Sequence, residues 1–290
     1  MEFVTVLDIV IGGLLLGGIY ALIAMGLSLQ YGVARVLNIS HGEFIMLGAF
    51  GTWVLYTSAG INPLLSLVIV GPAVFIIGYL LHITLFKSLL KSSISTAVFE
   101  GNSLLATFGI LYIIQNIAII IWSTSSKGYT FLATPVDLGG AIFSTNRLVT
   151  LGFAIVIGLA FYLFLAKTRT GKAIRAAAQD PSAAELMGVD INRVLALCFG
   201  FGALMAGLAG VLYSMCFSIQ TTMGLGFTVI AIIVVVLGGL GSIPGSFIGG
   251  FILGILGQIV THFEPSLSLA AYYLIFILLL LLRPKGIFGK

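Results

Sequence analysis

The sequence predicts an all-α, polytopic membrane protein: one transmembrane domain over residues 1–290, with eight or nine membrane helices, some short or broken. Three observations predict it. Hydrophobic residues make up 60% of the chain and charged residues 8%, and the mean hydropathy is +1.21. A water-soluble domain of this length could not carry that composition without exposing a large apolar surface. Apolar runs approaching the roughly 20 residues that cross a hydrocarbon core recur along the whole chain. The charge, finally, is concentrated: Lys167, Arg169, Lys172, Arg175, Asp180, Glu185, Asp190 and Arg193 fall within one short segment between long apolar runs.

In chain order, the spans are expected at about 8–30, 38–58, 64–86, 97–122, 147–167, 194–218, 226–240, 243–262 and 267–283. The opening MEFVTVLDIV is acidic and lacks a small-residue cleavage pattern, so the first run reads as a retained helix rather than a signal peptide. The seventh and eighth spans flank VLGGLGSIPGSFIGGFILG, where glycine and proline mark either a tight turn between short spans or a broken helix. Nine crossings put Arg35, Lys87, Lys91, Lys167, Arg169, Lys172, Arg175, Arg193, Arg283, Lys285 and Lys290 on one side and only Lys127 and Arg147 on the other. By the positive-inside rule the N-terminus is then outside and the C-terminus cytoplasmic. The segment from about 123 to 146 becomes the main outer loop, turn-rich and too polar to span.

The charged segment, about 168–193, carries ordered start and stop signals. TRTGKAIRAAAQ has helix-forming, alanine-rich composition. In QDPSAAELMG, Asp180 suits an N-cap, Pro181 the first helical position and Gly188 a left-handed C′ position, with Asp190 capping the next helix. A flexible linker would instead be rich in glycine and serine. Ala183, Ala184, Leu186 and Met187 give the short helix a small apolar face, and the segment reads as a rigid element that enters a groove on a partner.

Polar residues inside the apolar runs are the other candidates. In NISHGEF, Ser40 and Glu43 match a capping box. That leaves Asn38 and His41 unexplained, and ionisable groups beside a span suggest a protein-lined or watered position. Helix capping and lining of a translocation path are both open for Asn38, Ser40, His41 and Glu43. Thr107, Gln115 and Asn116 recur at helical spacing and are expected to face protein, either in interhelical hydrogen bonds or, for Thr107 and Gln115, on the path. The close spacings Gly12-Gly13 with Gly17-Gly18, Gly238 to Gly241 and Gly245 to Gly250 read as helix-packing sites. HGEFI at 41–45 and PGSFI at 244–248 hint at an internal repeat, too short to establish one.

Catalysis is not indicated. The nearest approach to a phosphate loop, Ala166-KTRT-Gly171-Lys172-Ala173, lacks the first glycine and the magnesium-binding hydroxyl. His41, His82 and His262 have no ligand at metal spacing. Cys198 and Cys216, read as one helix, lie about 27 Å apart, too far for a disulfide. The scattered basic residues form no surface for nucleic acid.

Four separated stretches, in order, resemble permease subunits of the branched-chain amino-acid family of ABC importers: YALIAMGLSLQYGVARVLNISHGEFIMLGAF, GKAIRAAAQDPSAAELMGVDINRV, VLGGLGSIPGSFIGGFILG and RPKGIFGK. The resemblance implies a type II importer-like fold in the cell inner membrane. It implies four further partners: a second homologous permease, two cytoplasmic ATPase subunits and an extracytoplasmic solute-binding protein. ATP and Mg would sit on the ATPases, with no cofactor in this chain. The stretch Asp180, Pro181, Ser182, Ala183, Ala184, Glu185, Leu186, Met187 and Gly188 would be the ATPase-coupling element. Glu100 departs from the family pattern and takes no role. The resulting expectation is a permease for branched-chain or other small amino acids, working by alternating access. The same architecture importing urea or short-chain amides is one alternative. An ion-gradient-driven transporter is another; it would need paired intramembrane carboxylates or an ion-coordinating break, whereas the only acidic residues near spans are Asp8, Glu43, Glu100 and Glu264.

Overall fold

The computed structural model describes residues 3–138, 140–283 and 286–288; Lys285 and Lys290, expected on the inner side, lie outside the described residues. Six helices precede the charged segment: α1 (Phe3–Ala34), α2 (His41–Ala59), α3 (Pro63–Leu81), α4 (Lys87–Ser92), α5 (Thr96–Trp122) and α6 (Thr145–Lys167). A π-helical turn, His82–Phe86, joins α3 to α4. The segment itself forms α7 (Arg169–Gln179) and α8 (Pro181–Leu186), followed by α9 (Ile191–Ser214), α10 (Gly224–Gly238), α11 (Ile243–Phe263) and α12 (Ser268–Leu282). Seven helices among the described residues are long and apolar enough to cross a membrane, and α10 is a shorter apolar helix.

The two helices that begin inside the bundle, α2 and α10, explain the organisation. His41 at the start of α2 bonds the Ile23 carbonyl of α1, eleven residues before α1 ends. That is roughly 16 Å back from the end of α1, about half of a 30 Å hydrocarbon core. The chain reaches this depth by leaving α1 at Arg35, which takes the left-handed conformation (φ 54°), and returning through 36–40 without helix. On the far side, residues 215–223 return inward after α9, and α10 starts at Gly224 against Gly42 and Glu43. The 15 residues of α10 extend about 22 Å, short of a 30 Å core, whereas the 19 residues of α2 extend about 28 Å. Thus the helices near 38–58 and 226–240 each follow a non-helical return, at 35–40 and 215–223.

Two units, α1–α2 and α9–α10, share this plan with opposite direction: a long helix, a non-helical return, then a helix beginning within the bundle. This is the inverted arrangement common in transporters. The positional counterpart of His41–Phe44 is the Gly224–Phe227 turn of α10; PGSFI instead opens α11 at the other end of the bundle. Between α10 and α11 the glycine-rich stretch forms a tight turn, with Gly239 (φ 98°) and Gly241 (φ 80°) in conformations that only glycine adopts without strain.

Close approach of backbones holds the bundle together. A Cβ on Gly13 would come within 2.7 Å of the Ile255 Cα, and Gly17 and Gly254 similarly abut the facing helix, so α1 and α11 pack backbone to backbone. Gly48 and Gly210 do the same between α2 and α9. The core lies along α1 and α9, with Ile19, Leu22, Ile23, Cys198, Ala203 and Ala206 buried. Cys216 falls just beyond α9 rather than within it, and both cysteines are free.

The outer loop holds structure that its turn-rich composition did not suggest. Strands β1 (Pro135–Leu138) and β2 (Ala141–Ser144) pair antiparallel, with Val136 opposite Phe143. Lys127 and Ile219 exchange both backbone hydrogen bonds at 2.9 Å, and the Thr221 hydroxyl donates to the Ser123 carbonyl at 3.2 Å. The loop therefore ties down the extended segment that leads into α10. Replacing Gly13 with leucine is expected to lower stability by about 1–3 kcal/mol through overpacking. Gly152, with open space at its Cβ position, should accept alanine with no loss or a gain of up to about 1 kcal/mol. Thermal unfolding of the purified variants, followed by loss of the monodisperse chromatographic peak, checks both.

Candidate functional site: a buried polar junction and an exposed helix

Breaking a helix inside a bilayer leaves backbone N–H and C=O groups that lipid cannot satisfy. Side chains from α1, α5, α10 and the 35–40 link do so here. The Asn38 amide donates to Gln30 Oε1 at 3.2 Å, and Gln30 Nε2 donates to the Phe199 carbonyl at 3.3 Å. Asn38 Oδ1 accepts from the Ser40 backbone N–H at 3.1 Å and from its hydroxyl at 2.6 Å. Thr107 of α5 accepts from the Ile39 N–H at 3.3 Å and donates to Leu104 of its own helix. Thr228 of α10 accepts from the Gly42 N–H at 2.8 Å, while its hydroxyl lies 2.9 Å from the Ile39 carbonyl. Gln30, Ser40, His41, Glu43, Thr107 and Thr228 are all fully buried, and Asn38 nearly so.

Two groups in this junction are left with capacity to spare. His41 Nε2 bonds the Ile23 carbonyl at 3.0 Å and must therefore carry the proton, which leaves Nδ1 as an acceptor without a partner. Neither Glu43 oxygen has a hydrogen-bond partner, although the residue is buried. The carboxyl group instead lies against Gly224, the first residue of α10, while Glu43 itself sits in the first turn of α2. It thus occupies the meeting point of two helix N-termini, where both macrodipoles favour negative charge. Gly42 and Gly224 permit that meeting. A side chain on Gly42 would strike the Gly224 carbonyl and come within 2.6 Å of the Thr228 hydroxyl.

The capping box expected of Ser40 and Glu43 does not form. Ser40 precedes α2 but makes no side-chain cap bond, because its hydroxyl is turned to Asn38. Gln115 stands apart, eight residues beyond Thr107 along α5 and partly exposed; Asn116 is exposed and bonds only the Tyr112 carbonyl of its own helix. The junction thus gathers Asn38, Ser40, His41, Glu43 and Thr107 but not Gln115. Sequence reasoning missed Gln30 and Thr228; each is a polar residue within a strongly apolar run, which was the available signal.

The charged segment follows its signals closely. Asp180 Oδ1 accepts from the Ser182 and Ala183 N–H groups at 2.9 and 3.0 Å, Pro181 opens α8, and Gly188 takes φ 84°. Val189 N–H returns to the Ala184 carbonyl at 3.1 Å, and Asp190 caps α9 through the Arg193 N–H. The four apolar residues divide between two faces. Ala184 is buried, whereas Leu186 and Met187 are 89% and 86% exposed. The element is therefore a short, doubly capped helix displaying two large apolar side chains next to charged neighbours.

The profile of the family described as "Branched-chain amino acid transport system / permease component" matches residues 9–282. The chain is 28% identical to the high-affinity branched-chain amino acid transport system permease protein BraD of Pseudomonas aeruginosa, over 97% of this chain and 94% of that one. It is 30% identical to the LivH permease protein of the corresponding system of Escherichia coli K12, over 100% of this chain and 97% of that one. It is also 28% identical to a probable branched-chain amino acid transport permease of Methanocaldococcus jannaschii, over 96% and 91%. Nearly full-length similarity to multi-pass permeases, joined to an all-helical bundle with broken spans, leads to one conclusion: this chain belongs to the branched-chain amino acid transport permease family, as a membrane component of ABC importers.

Proposed function

We propose that the chain forms one half of the membrane path of an importer for branched-chain or other small amino acids; the relatives above are named for branched-chain amino acid transport. The other half is a second homologous permease subunit. Two cytoplasmic ATPase subunits, which bind ATP and Mg, drive the pair, and an extracytoplasmic solute-binding protein delivers the cargo. The N-terminus is outside and the C-terminus cytoplasmic, in keeping with basic residues gathered at the end that carries α7 and α8.

The observation that carries this reading is α8. Leu186 and Met187 are exposed on a helix held by Asp180 at its start and by the Gly188 turn at its end. Apolar side chains on a rigid, protruding element are suited to a groove on a soluble partner. The residues Asp180 to Gly188 are the ATPase-coupling element of this proposal, and α9 transmits their displacement directly into the bundle. The buried junction of Asn38, Ser40, His41, Glu43 and Thr107 is the part of the path that rearranges, because two helices begin there inside the bundle with an unpartnered carboxyl between them. Gln115 has no part in it.

Co-reconstitution of the chain with its ATPases, second permease and binding protein is expected to give amino-acid uptake only with ATP. Uptake by the chain alone under a proton or sodium gradient would overturn the proposal. Leu186→Asp together with Met187→Asp should weaken ATPase association by about 2 kcal/mol or more, abolishing coupled uptake while membrane insertion and helix content are unchanged. Ala184→Pro removes the N–H that bonds the Asp180 carbonyl and should uncouple ATP hydrolysis from uptake. Glu43→Gln keeps the shape and removes the only ionisable carboxyl at the junction. Uptake should fall by roughly tenfold with ATPase binding intact, and unchanged uptake would remove Glu43 from the path.

A further inference from the structure

A groove lies between α6 and α11, at the end of the bundle that carries α7 and α8, apart from the buried polar junction and from the exposed Leu186 and Met187. Its mouth is a cavity of about 320 Å³ bordered by Leu29, Tyr162, Arg175, Ser242 and Pro244. A second cavity of about 170 Å³, bordered by Gly158, Leu159, Phe247 and Ile248, shares Tyr162 and Pro244 with the first. The order of these residues along their helices sets the depth. Gly158 and Leu159 lie one turn further from the α7 end of α6 than Tyr162 does, and Phe247 and Ile248 lie one turn further along α11 than Pro244. The inner cavity is therefore the deeper in the membrane, and its lining is wholly apolar.

Polarity is confined to the mouth. The Arg175 guanidinium spends one donor on the Ala166 carbonyl, at 3.0 Å, out of the five that the group carries. Ser28, fully buried in α1 at the mouth, has a hydroxyl with no hydrogen-bond partner. Leu159 and Ile248 are 47% and 41% exposed, so the deeper part opens sideways to hydrocarbon rather than into the bundle. A cation with donors to spare, above an apolar slot open to the bilayer, matches an anionic headgroup joined to an acyl chain.

We propose that this groove binds one anionic phospholipid, with its phosphate on Arg175 and one chain running past Tyr162 toward Gly158 and Phe247. The remainder of the lipid stays in the bilayer. Arg175 lies on α7, which leads directly into α8, so the lipid braces the base of the exposed helix against α6 and α11.

The full chain, released from membranes of defined composition and weighed intact by native mass spectrometry, tests this. One phosphatidylglycerol per chain should be retained, about fivefold more strongly than phosphatidylcholine, as one cation at a membrane surface warrants. Arg175→Gln should reduce phosphatidylglycerol to the phosphatidylcholine level, Arg175→Lys should restore much of it, and Lys91→Gln, which alters a basic residue away from the groove, should change nothing. Leu159→Trp fills the exposed slot without touching charge and should lose both lipids, which keeps the test valid if Arg175→Gln is poorly folded. Equal retention of the two lipids, equal losses from Arg175→Gln and Lys91→Gln, or displacement by millimolar inorganic phosphate or glycerol phosphate would each overturn the proposal; the last would mark a site for soluble anions.

Discussion

A lipid bilayer cannot hydrogen-bond a peptide group, and the architecture follows from how this chain meets that constraint at two deliberate breaks. Had α1 and α9 been followed by ordinary spans, the interior would need only apolar packing. Both are instead followed by extended chain that returns to the middle of the bundle, and the exposed N–H and C=O groups of 38–42 are answered by Thr107 and Thr228. Asn38, Gln30 and the Phe199 carbonyl extend the same network to α9. Remove that junction and neither α2 nor α10 has a defined starting point.

Glycine makes the junction possible by bringing backbones closer than any side chain allows. Gly42 and Gly224 let the starts of α2 and α10 touch, and Gly26 lets α1 approach Gly202 where His41 is seated. Such contacts do not depend on a hydrophobic driving force, which is nearly absent between helices in lipid. They also leave little tolerance for change. A helix that shifts relative to its neighbour must exchange one set of close contacts for another, the discrete behaviour expected of an element with two states.

The two functional regions are joined by one rigid helix. Asp190 caps α9 immediately after the Gly188 turn that ends α8, and α9 then runs past Phe199, whose carbonyl holds Gln30, to Gly207 and Gly210, which abut α2. Under the proposed function, a displacement of α8 would reach the polar junction through the single helix α9. The groove at Arg175 adjoins the start of that route, on the lipid-facing side.

Local chemistry was legible in the sequence, and so were the features that depend on it alone. Helix existence, the limits of most spans, the caps at Asp180 and Asp190, the proline at the start of α8 and the left-handed glycine at 188 all follow from interactions within a few residues. The polar character of NISHGEF was equally plain. What its residues do was not, because Ser40 and Glu43 fit a local capping pattern that the tertiary contacts displaced: Asn38 takes the Ser40 hydroxyl, and α10 brings Gly224 to Glu43. Hydropathy cannot distinguish a full span from a non-helical return plus a helix that begins inside the bundle, since both present the same apolar residues in the same order. By itself, then, the sequence determined a multi-pass helical permease with a shaped polar segment. Only the tertiary structure decided where α2 and α10 begin, which polar residues meet there and which faces of α8 remain open, because each of those depends on contacts between residues far apart in the chain.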